Sequence, residues 1–175
     1  MRIKILTLGL FFIYSCALFA DEDKKDEKTT GTKENIWQVD SVMKFSIGDS
    51  ISNIILEAKI ITLTRLQEDK EVLTMKLDSK QKELTKFLIS TADNYRQNTI
   101  VFGLFMPSLY FTFFKGKENV KVYFDFGLSK WKIVDEERKT VAIFDLKSNE
   151  ILRLCNTLLP QDEFLTFILK QKEVK

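Results

Sequence analysis

The chain has 175 residues, of which 45% are hydrophobic, enough for one domain with an apolar core plus a leader and a linker. It contains 27 basic and 25 acidic residues and no histidine. The lack of histidine excludes Ser-His-Asp catalysis, Cys-His catalysis and histidine-ligated metal sites. The near balance of charge argues against a nucleic-acid partner, because nucleic-acid binders need a surplus of cations to meet phosphate.

The first twenty residues have the layout of a secretory signal. Arg2 and Lys4 precede an apolar run of ten residues at 5–14, and small residues follow that run. The run is too short to anchor a chain stably across a bilayer. We therefore expect residues 1–20 to be a signal peptide; a buried N-terminal helix is the alternative. Loss of Arg2 and Lys4 with the leader would leave 25 basic and 25 acidic residues.

Two cleavage sites compete at the end of this leader. Ile13-Tyr14-Ser15-Cys16 resembles the lipobox of bacterial lipoproteins, in which the cysteine becomes the lipidated first residue, although Tyr14 is unusual in that motif. Cleavage after Ala17 or Ala20 would instead release a soluble periplasmic or secreted protein. We favour lipidation of Cys16, which would tether the protein to a membrane, in keeping with a location in the periplasm or at the outer membrane.

A charged linker should separate the leader from the folded domain. Residues 21–35 read DEDKKDEKTTGTKEN and contain no large apolar side chain, so they cannot bury surface to offset the entropy of ordering. This composition predicts a disordered tether, followed by a single domain over residues 36–175. Besides Cys16 the only cysteine is Cys155, so no internal disulfide framework is expected.

In the first half of the domain, the sequence predicts two helices and two strands. A helix begins near Asp49, strands follow at 59–66 and 72–77, and Asp78 with Gln81 has the spacing of a helix capping box. The spacing predicts that the buried face of the capped helix consists of Leu84, Phe87, Leu88 and Thr91.

The second half predicts an antiparallel meander followed by two helices. The expected strands are 108–115, 120–126, 130–134 and 140–145, with a turn at 116–119 and a charged loop at 135–139. Two apolar-faced helices follow, separated by Pro160. The fold class is therefore α+β, an antiparallel meander sheet of about four to six strands with helices packed on one face.

Alternation along the strands assigns side chains to two faces of the sheet. The face toward the helices should carry Leu109, Phe111, Phe113, Val120, Val122, Phe124, Phe126, Trp131 and Ile133. The other face mixes aromatic and charged side chains, which can mark a binding surface. This candidate binding surface consists of Tyr110, Phe114, Lys121, Tyr123, Asp125, Lys130 and Lys132. Alternatively, these aromatics pair across strands or lie under the segment around Trp37.

The sequence offers little catalytic or metal-binding chemistry. Cys155 lies on an apolar helix face without a histidine to activate it, so a buried structural thiol is expected. The acidic runs lack the spaced ligands and central glycine of a calcium loop, and no glycine-rich phosphate loop is present. Asp135-Glu136-Glu137 is most simply a solvated hairpin loop. We therefore expect no enzyme activity, no metal and no cofactor.

A set of core and turn residues forms a pattern over about residues 50–165. It consists of Phe105-Met106-Pro107, Gly116, Val120-Lys121-Val122, Phe124, Phe126, Trp131, Phe144-Asp145, Leu152, Leu159-Pro160 and Asp162. In this pattern the chain resembles a family of uncharacterised small bacterial exported proteins and lipoproteins. Many members place cysteines where this chain has Gly103 and Leu128, so any disulfide between them is missing here. The resemblance implies the fold and the export, and it transfers no activity.

These observations predict a non-enzymatic binding or interaction module of the bacterial cell envelope. Its partner would be an envelope protein or another envelope component, and a membrane if Cys16 is lipidated. One alternative is an inhibitor or immunity-like protein that inserts the loop at 116–119 or 135–139 into an envelope enzyme. A second is a carboxylate-dependent glycan-active enzyme, which requires two acids about 5–9.5 Å apart in a cleft.

Overall fold

The computed structural model of the protein describes residues 41–96 and 103–174. The predicted signal peptide, the lipidation site Cys16, the predicted tether and Trp37 lie outside these ranges. The described residues belong to one compact unit, Gly31–Lys175. Within them, no helix is both long enough and apolar enough to cross a membrane.

A single antiparallel sheet of six strands forms the centre of the fold. The strands are β1 (Ile60–Gln67), β2 (Lys70–Lys76), β3 (Leu109–Lys115), β4 (Glu118–Asp125), β5 (Lys130–Val134) and β6 (Thr140–Asp145). Their order in the sheet is β2-β1-β3-β4-β5-β6. The predicted meander is confirmed in β3 to β6, and the β1–β2 hairpin extends it because β1 pairs with β3. The predicted turn at 116–119 is shorter than expected, because β4 already begins at Glu118.

Five helices and one 3-10 turn complete the described part of the chain. The predicted capping box is confirmed: the Gln81 backbone N–H donates to Asp78, and the Asp78 N–H donates to the Gln81 side chain, both at 2.9 Å. Asp162 caps the last helix in the same manner, accepting from the Leu165 N–H at 3.0 Å. The helices are α1 (41–47), α2 (Asp49–Glu57), α3 (Ser79–Ser90), α4 (Glu150–Leu158) and α5 (Glu163–Glu173), and the 3-10 turn is Ala92–Tyr95.

The core lies between the helices and one face of the sheet, which confirms the predicted α+β architecture. All nine side chains predicted to face the helices are buried. Trp131 stacks on Phe124 with ring centroids 6.0 Å apart, and its indole N–H donates to the Asn94 carbonyl at 3.0 Å. Cys155 is also fully buried, and this burial raises the pKa of its thiol, as expected of a structural residue.

The predicted buried face of α3 is wrong. Leu84 and Phe87 are 46% and 66% exposed, whereas Thr85, Ile89 and Ser90 face the interior. Thr91 lies at the C-terminal cap rather than on a buried helical face, and Leu88 is only partly buried. The spacing of apolar residues did not reveal this face, because its Thr85 is polar. The Thr85 hydroxyl donates to the Gln81 carbonyl at 2.7 Å, and this hydrogen bond within the helix permits burial.

Candidate functional site

The candidate binding surface lies on the sheet face that points away from the helices, and its seven side chains are buried or half-buried rather than fully exposed. The apolar core cluster takes its strand residues from the inward face alone. On the opposite face, register places Tyr110 beside Tyr123, Tyr123 beside Lys132, and Lys132 beside Ile143. One row of side chains therefore crosses four strands on this face, as the alternation predicts.

A concave groove of about 620 Å³ lies on this face, and we name it the sheet-face groove. Its floor is formed by side chains from the neighbouring strands β4 and β5. One wall comes from the β2 edge and the segment before β3, and the other from the β5–β6 hairpin. Its lining residues are Glu71, Pro107, Asn119, Lys121, Tyr123, Lys132, Val134, Asp135, Glu136, Arg138 and Thr140.

Tyr110 lies beside the groove, next to Tyr123 on the same sheet face, and is not exposed, contrary to its predicted place on the binding surface. Only 4% of it is accessible, and its ring lies 4.8 Å from that of Tyr123. Its hydroxyl donates to Glu71 at 2.5 Å. Burial, followed by this bond to Glu71, raises the pKa of Tyr110 to about 12. The cross-strand pairing that was the alternative interpretation is therefore present at this position.

Tyr123 is the half-buried aromatic of the groove floor. Burial raises the pKa of its phenol, the negative charge of Glu71 raises it further, and the positive charge of Arg138 lowers it. Both walls of the groove therefore act electrostatically on this ring. The Lys132 ammonium lies 5.6 Å from the Tyr123 ring centroid and 4.6 Å from that of Phe105.

Three cations and three carboxylates line the groove, so its formal charge is balanced. Lys121 lies over the Tyr110 ring at 4.6 Å and 3.5 Å from its hydroxyl oxygen. Among the residues that the structure describes, Lys121, Lys132 and Arg138 take part in no salt bridge, although nine such bridges form elsewhere. The groove is therefore polar, with both signs of charge along its lining and two of its cations packed against aromatic rings.

Two of the three carboxylates in the groove already accept hydrogen bonds. Glu71 accepts from the Tyr110 hydroxyl, and Asp135 accepts from the Lys139 backbone N–H at 2.8 Å. The Asp135 N–H also donates to the Lys139 carbonyl at 3.0 Å, which closes the hairpin. A glycan-active enzyme requires two acids in a cleft, and this groove contains acids. Glu71 and Asp135, however, are already held by hydrogen bonds within the fold.

The remaining predicted surface residues lie away from the groove. Phe114 is half-buried and pairs in register with Asn119. Asp125 was predicted to be part of the surface, but it is buried and accepts from the backbone N–H groups of Met106 and Leu128 at 2.8 and 2.9 Å. Lys130 forms a salt bridge with Asp145. Because these groups fix loops and strand ends, Asp125 and Lys130 are structural residues.

The sequence interpretation missed Glu71, Pro107 and Arg138 as groove residues. Glu71 lies on β2, which reaches the groove only because β1 pairs with β3, a long-range contact that alternation within a strand does not reveal. Arg138 adopts a positive φ of 63° in the hairpin loop and contributes to the opposite wall. A pattern of three acids and two cations at 135–139 was the only local signal.

A second, more apolar cavity of about 480 Å³ lies at the end of β1 and β3, where Leu104, Met106 and Phe164 are exposed. Arg65 lines this cavity, and hydrogen bonds hold its side chain in place. Its guanidinium Nε donates to Asp162 at 2.5 Å, and its Nη1 donates to the Ser108 carbonyl at 2.7 Å. This arginine therefore joins β1 to the start of α5.

Comparison with known proteins gives no relative: protein-family models, curated proteins and solved structures yielded no match. In residues 41–96 and 103–174, no cluster of three or more acidic or cysteine side chains is placed to hold a metal ion. Function is therefore inferred from the geometry and charges of the groove.

Proposed function

We propose that the protein is a non-enzymatic binding module of the bacterial cell envelope that holds a partner protein or another envelope component in the sheet-face groove. The observation that supports this most is the half-buried Tyr123 between Lys121 and Lys132 in a concave groove on the sheet. Tyrosine offers a large contact area at low conformational cost, and neighbouring cations add polar specificity.

The envelope location rests on the leader, in which two cations and an apolar run are followed by Cys16 among the small residues Ser15, Ala17 and Ala20. Mass spectrometry of the mature N-terminus separates the two cleavage hypotheses. A diacylglyceryl mass on Cys16 would mean a membrane-tethered protein. An unmodified terminus at Leu18 or Asp21 would mean a soluble one, and an intact Met1 would contradict export by this leader.

A groove variant with a matched control tests the binding function. Replacing Tyr110 would remove a buried support, so the variant is Tyr123→Ser, Lys121→Gln and Lys132→Gln. The control is Phe45→Ser, Lys44→Gln and Lys80→Gln, which likewise replaces one aromatic residue and two lysines, but at exposed helical positions.

Both variants should keep the circular dichroism spectrum and melting curve of the parent chain. In quantitative affinity capture from envelope extracts, the groove variant should lose specific partners that the control retains. Identical partner profiles for the parent and the folded groove variant would refute the groove as the binding site.

The hairpin at 135–139 supports the inhibitor hypothesis as a second candidate. The two hydrogen bonds between Asp135 and Lys139 give it a defined shape, as an inserted loop requires. Replacing Glu137 and Lys139, which do not line the groove, with serine should then weaken the inhibition of a target enzyme while leaving Tyr123-dependent capture intact. The glycan-active hypothesis is weaker because Glu71 and Asp135 already accept hydrogen bonds.

A further inference from the structure

We propose that the second cavity, at the end of β1 and β3, binds an extended peptide segment that carries an apolar anchor and, a few residues away, basic side chains. This site goes beyond the function proposed for the sheet-face groove, with which it shares Pro107 alone among its described lining residues. The cavity combines an unbalanced charge with the exposed apolar side chains of Leu104, Met106 and Phe164. Exposed apolar groups that converge on a concave site can mark an interaction surface.

The lining of this cavity carries more negative than positive charge. Glu68, Asp69 and Asp125 contribute carboxylates, against the single described cation of Arg65. Arg65 is already paired with Asp162 at 2.5 Å, and Asp125 accepts two backbone N–H groups. Glu68 and Asp69, by contrast, take part in none of the salt bridges that the described residues form. Charge complementarity therefore calls for a cation on the occupant, beside Glu68 and Asp69.

The β1–β2 turn presents these two acids in an unfavourable backbone conformation. Glu68 and Asp69 have φ angles of 51° and 60°, in the left-handed region that a two-residue hairpin loop of this kind requires. Asn-Gly or Asp-Gly usually fills such a loop, because glycine has no Cβ to clash there. Lys70, which follows the turn, does not line the cavity. The turn therefore holds two carboxylates at the cavity where glycine would strain a purely structural turn less.

The order of the strands separates the acidic side of the cavity from its apolar side. The two acids lie in the β1–β2 turn, whereas Leu128 lies in the β4–β5 turn. Met106 is held beside this second turn, because its N–H donates to Asp125 at 2.8 Å and the Leu128 N–H donates to the same carboxylate at 2.9 Å. The two turns are centred three strand spacings apart, which is about 14 Å at about 4.8 Å per spacing.

This separation selects an extended chain segment as the occupant. About four residues of extended chain span about 14 Å, since each adds about 3.3 Å. A peptide with apolar and basic side chains about four residues apart can therefore fill the apolar side and reach the acidic side together. A small free amine is too short to do both, and an anionic membrane surface would be repelled by Glu68 and Asp69.

The test uses fluorescence anisotropy of the mature chain with three labelled peptides of equal length. The matching probe is Gly-Leu-Phe-Ser-Gly-Ser-Lys-Lys-Gly. One control probe carries glutamate in place of both lysines, and the other carries serine in place of Leu and Phe. We expect the matching probe to bind at least about tenfold more tightly than either control. Equal affinity for the matching probe and either control, or no binding of the matching probe, would overturn the inference.

Two double variants locate the basic end of the bound probe. Glu68→Gln with Asp69→Asn should weaken binding of the matching probe about tenfold, because two modest charge contacts are lost. Glu83→Gln with Glu118→Gln removes the same charge from exposed positions that line neither this cavity nor the sheet-face groove. This control should bind the probe within about twofold of the parent. Equal losses in both variants would reduce the effect to net charge and overturn the inference.

A second pair of variants locates the apolar end of the bound probe. Leu104→Ser with Met106→Ser should weaken binding about tenfold, because less apolar surface is buried against the probe. Phe45→Ser with Phe87→Ser removes two exposed apolar side chains from helices and should leave binding within about twofold of the parent. All of these side chains are exposed, so each variant should keep the circular dichroism spectrum of the parent. Full binding by the folded variant of Leu104 and Met106 would overturn the inference.

Further measurements separate this cavity from the sheet-face groove. The variant with Tyr123→Ser, Lys121→Gln and Lys132→Gln should bind the matching probe within about twofold of the parent. A larger loss would move the binding site to the groove and overturn the inference. Capture of native partners by that variant tests the proposed function independently, so either proposal can fail alone.

Two other occupants are tested in the same way. Sedimentation with phosphatidylcholine vesicles should leave the unlipidated mature chain in the supernatant. Vesicle binding that is abolished by Leu104→Ser with Met106→Ser would assign the surface to a membrane and overturn the inference. Self-association that is abolished by the same variant, measured by analytical ultracentrifugation, would assign the surface to a second copy of the chain and overturn it as well.

Discussion

Tyr110 and Tyr123 face each other across β3 and β4 with ring centroids 4.8 Å apart, yet only one of the two is available to a ligand. Tyr110 is buried and bonded to Glu71, whereas Tyr123 is half-exposed on the groove floor. Tyr110 therefore has a structural role, and Tyr123 is the residue that a ligand can contact. This division of roles determines which substitutions test function and which test stability.

Tyr110 should make the fold sensitive to alkali. Burial and Glu71 raise its pKa to about 12, above the value of about 10 for an unfolded tyrosine. The stabilisation is complete below about pH 10 and is lost as pH rises toward about 12, because only the unfolded chain ionises in that window. Urea unfolding should show a smaller alkaline loss in Tyr110→Phe than in the parent. Superimposable pH profiles would contradict this role.

Asp162 should make the fold sensitive to acid. Burial alone would raise the pKa of this carboxyl, but Arg65 and the Leu165 N–H outweigh it and hold the pKa below its usual value. The stabilisation is present above the unfolded pKa and is lost as pH falls through the lower folded pKa. In urea titrations at neutral pH, Asp162→Ala should lower the free energy of unfolding by about 2 kcal/mol or more, by removing a helix cap and leaving Arg65 unpaired.

Asp93→Asn is the control for Asp162. Asp93 also pairs with an arginine, Arg96, but both side chains are 68% exposed. The substitution should change the free energy of unfolding by less than about 1 kcal/mol. Similar losses for the Asp93 and Asp162 variants would show that Arg65–Asp162 has no special structural role.

The corrected orientation of α3 can be tested with two alanine substitutions. Ile89→Ala should lower the free energy of unfolding by about 2–5 kcal/mol, because Ile89 is 1% exposed and its loss leaves a cavity. Phe87→Ala removes a larger side chain that is mostly in water, so its effect should be below about 1 kcal/mol. Chemical denaturation of both variants decides the matter, and a larger loss for Phe87 would restore the face predicted from the sequence.

Gly103 and Leu128 occupy neighbouring positions, and this proximity predicts a cross-link. A Cβ added to Gly103 would lie 3.4 Å from Leu128 Cδ2. We expect Gly103→Cys with Leu128→Cys to form a disulfide on mild oxidation, visible as faster migration on a non-reducing gel. The stability gained should be small because Gly103 has φ of 127°, which strains any other residue. Free thiols in the folded, oxidised double variant would contradict the predicted proximity.

The sequence predicted most of the sheet because alternation and turn residues are local signals. Phe111, Val122 and Ile133 occupy one face in register, as their spacing requires. It could not distinguish the buried Tyr110 from the half-buried Tyr123, because that difference depends on Glu71, 39 residues away along the chain from Tyr110. The α3 face failed for a similar reason: Thr85 and Ser90 are polar, and their burial depends on tertiary packing and on hydrogen bonds within the helix.

Site-specific photo-crosslinking in the native host tests the central claim most directly. The photoreactive residue p-benzoylphenylalanine replaces Tyr123 in the groove, or Phe87 on the exposed face of α3 as the control. We predict discrete crosslinked adducts from position 123, suppressed by Lys121→Gln with Lys132→Gln, and none of these adducts from position 87. Adducts of equal yield from both positions, or none from position 123 in the folded and correctly located protein, would contradict a binding function for the sheet-face groove.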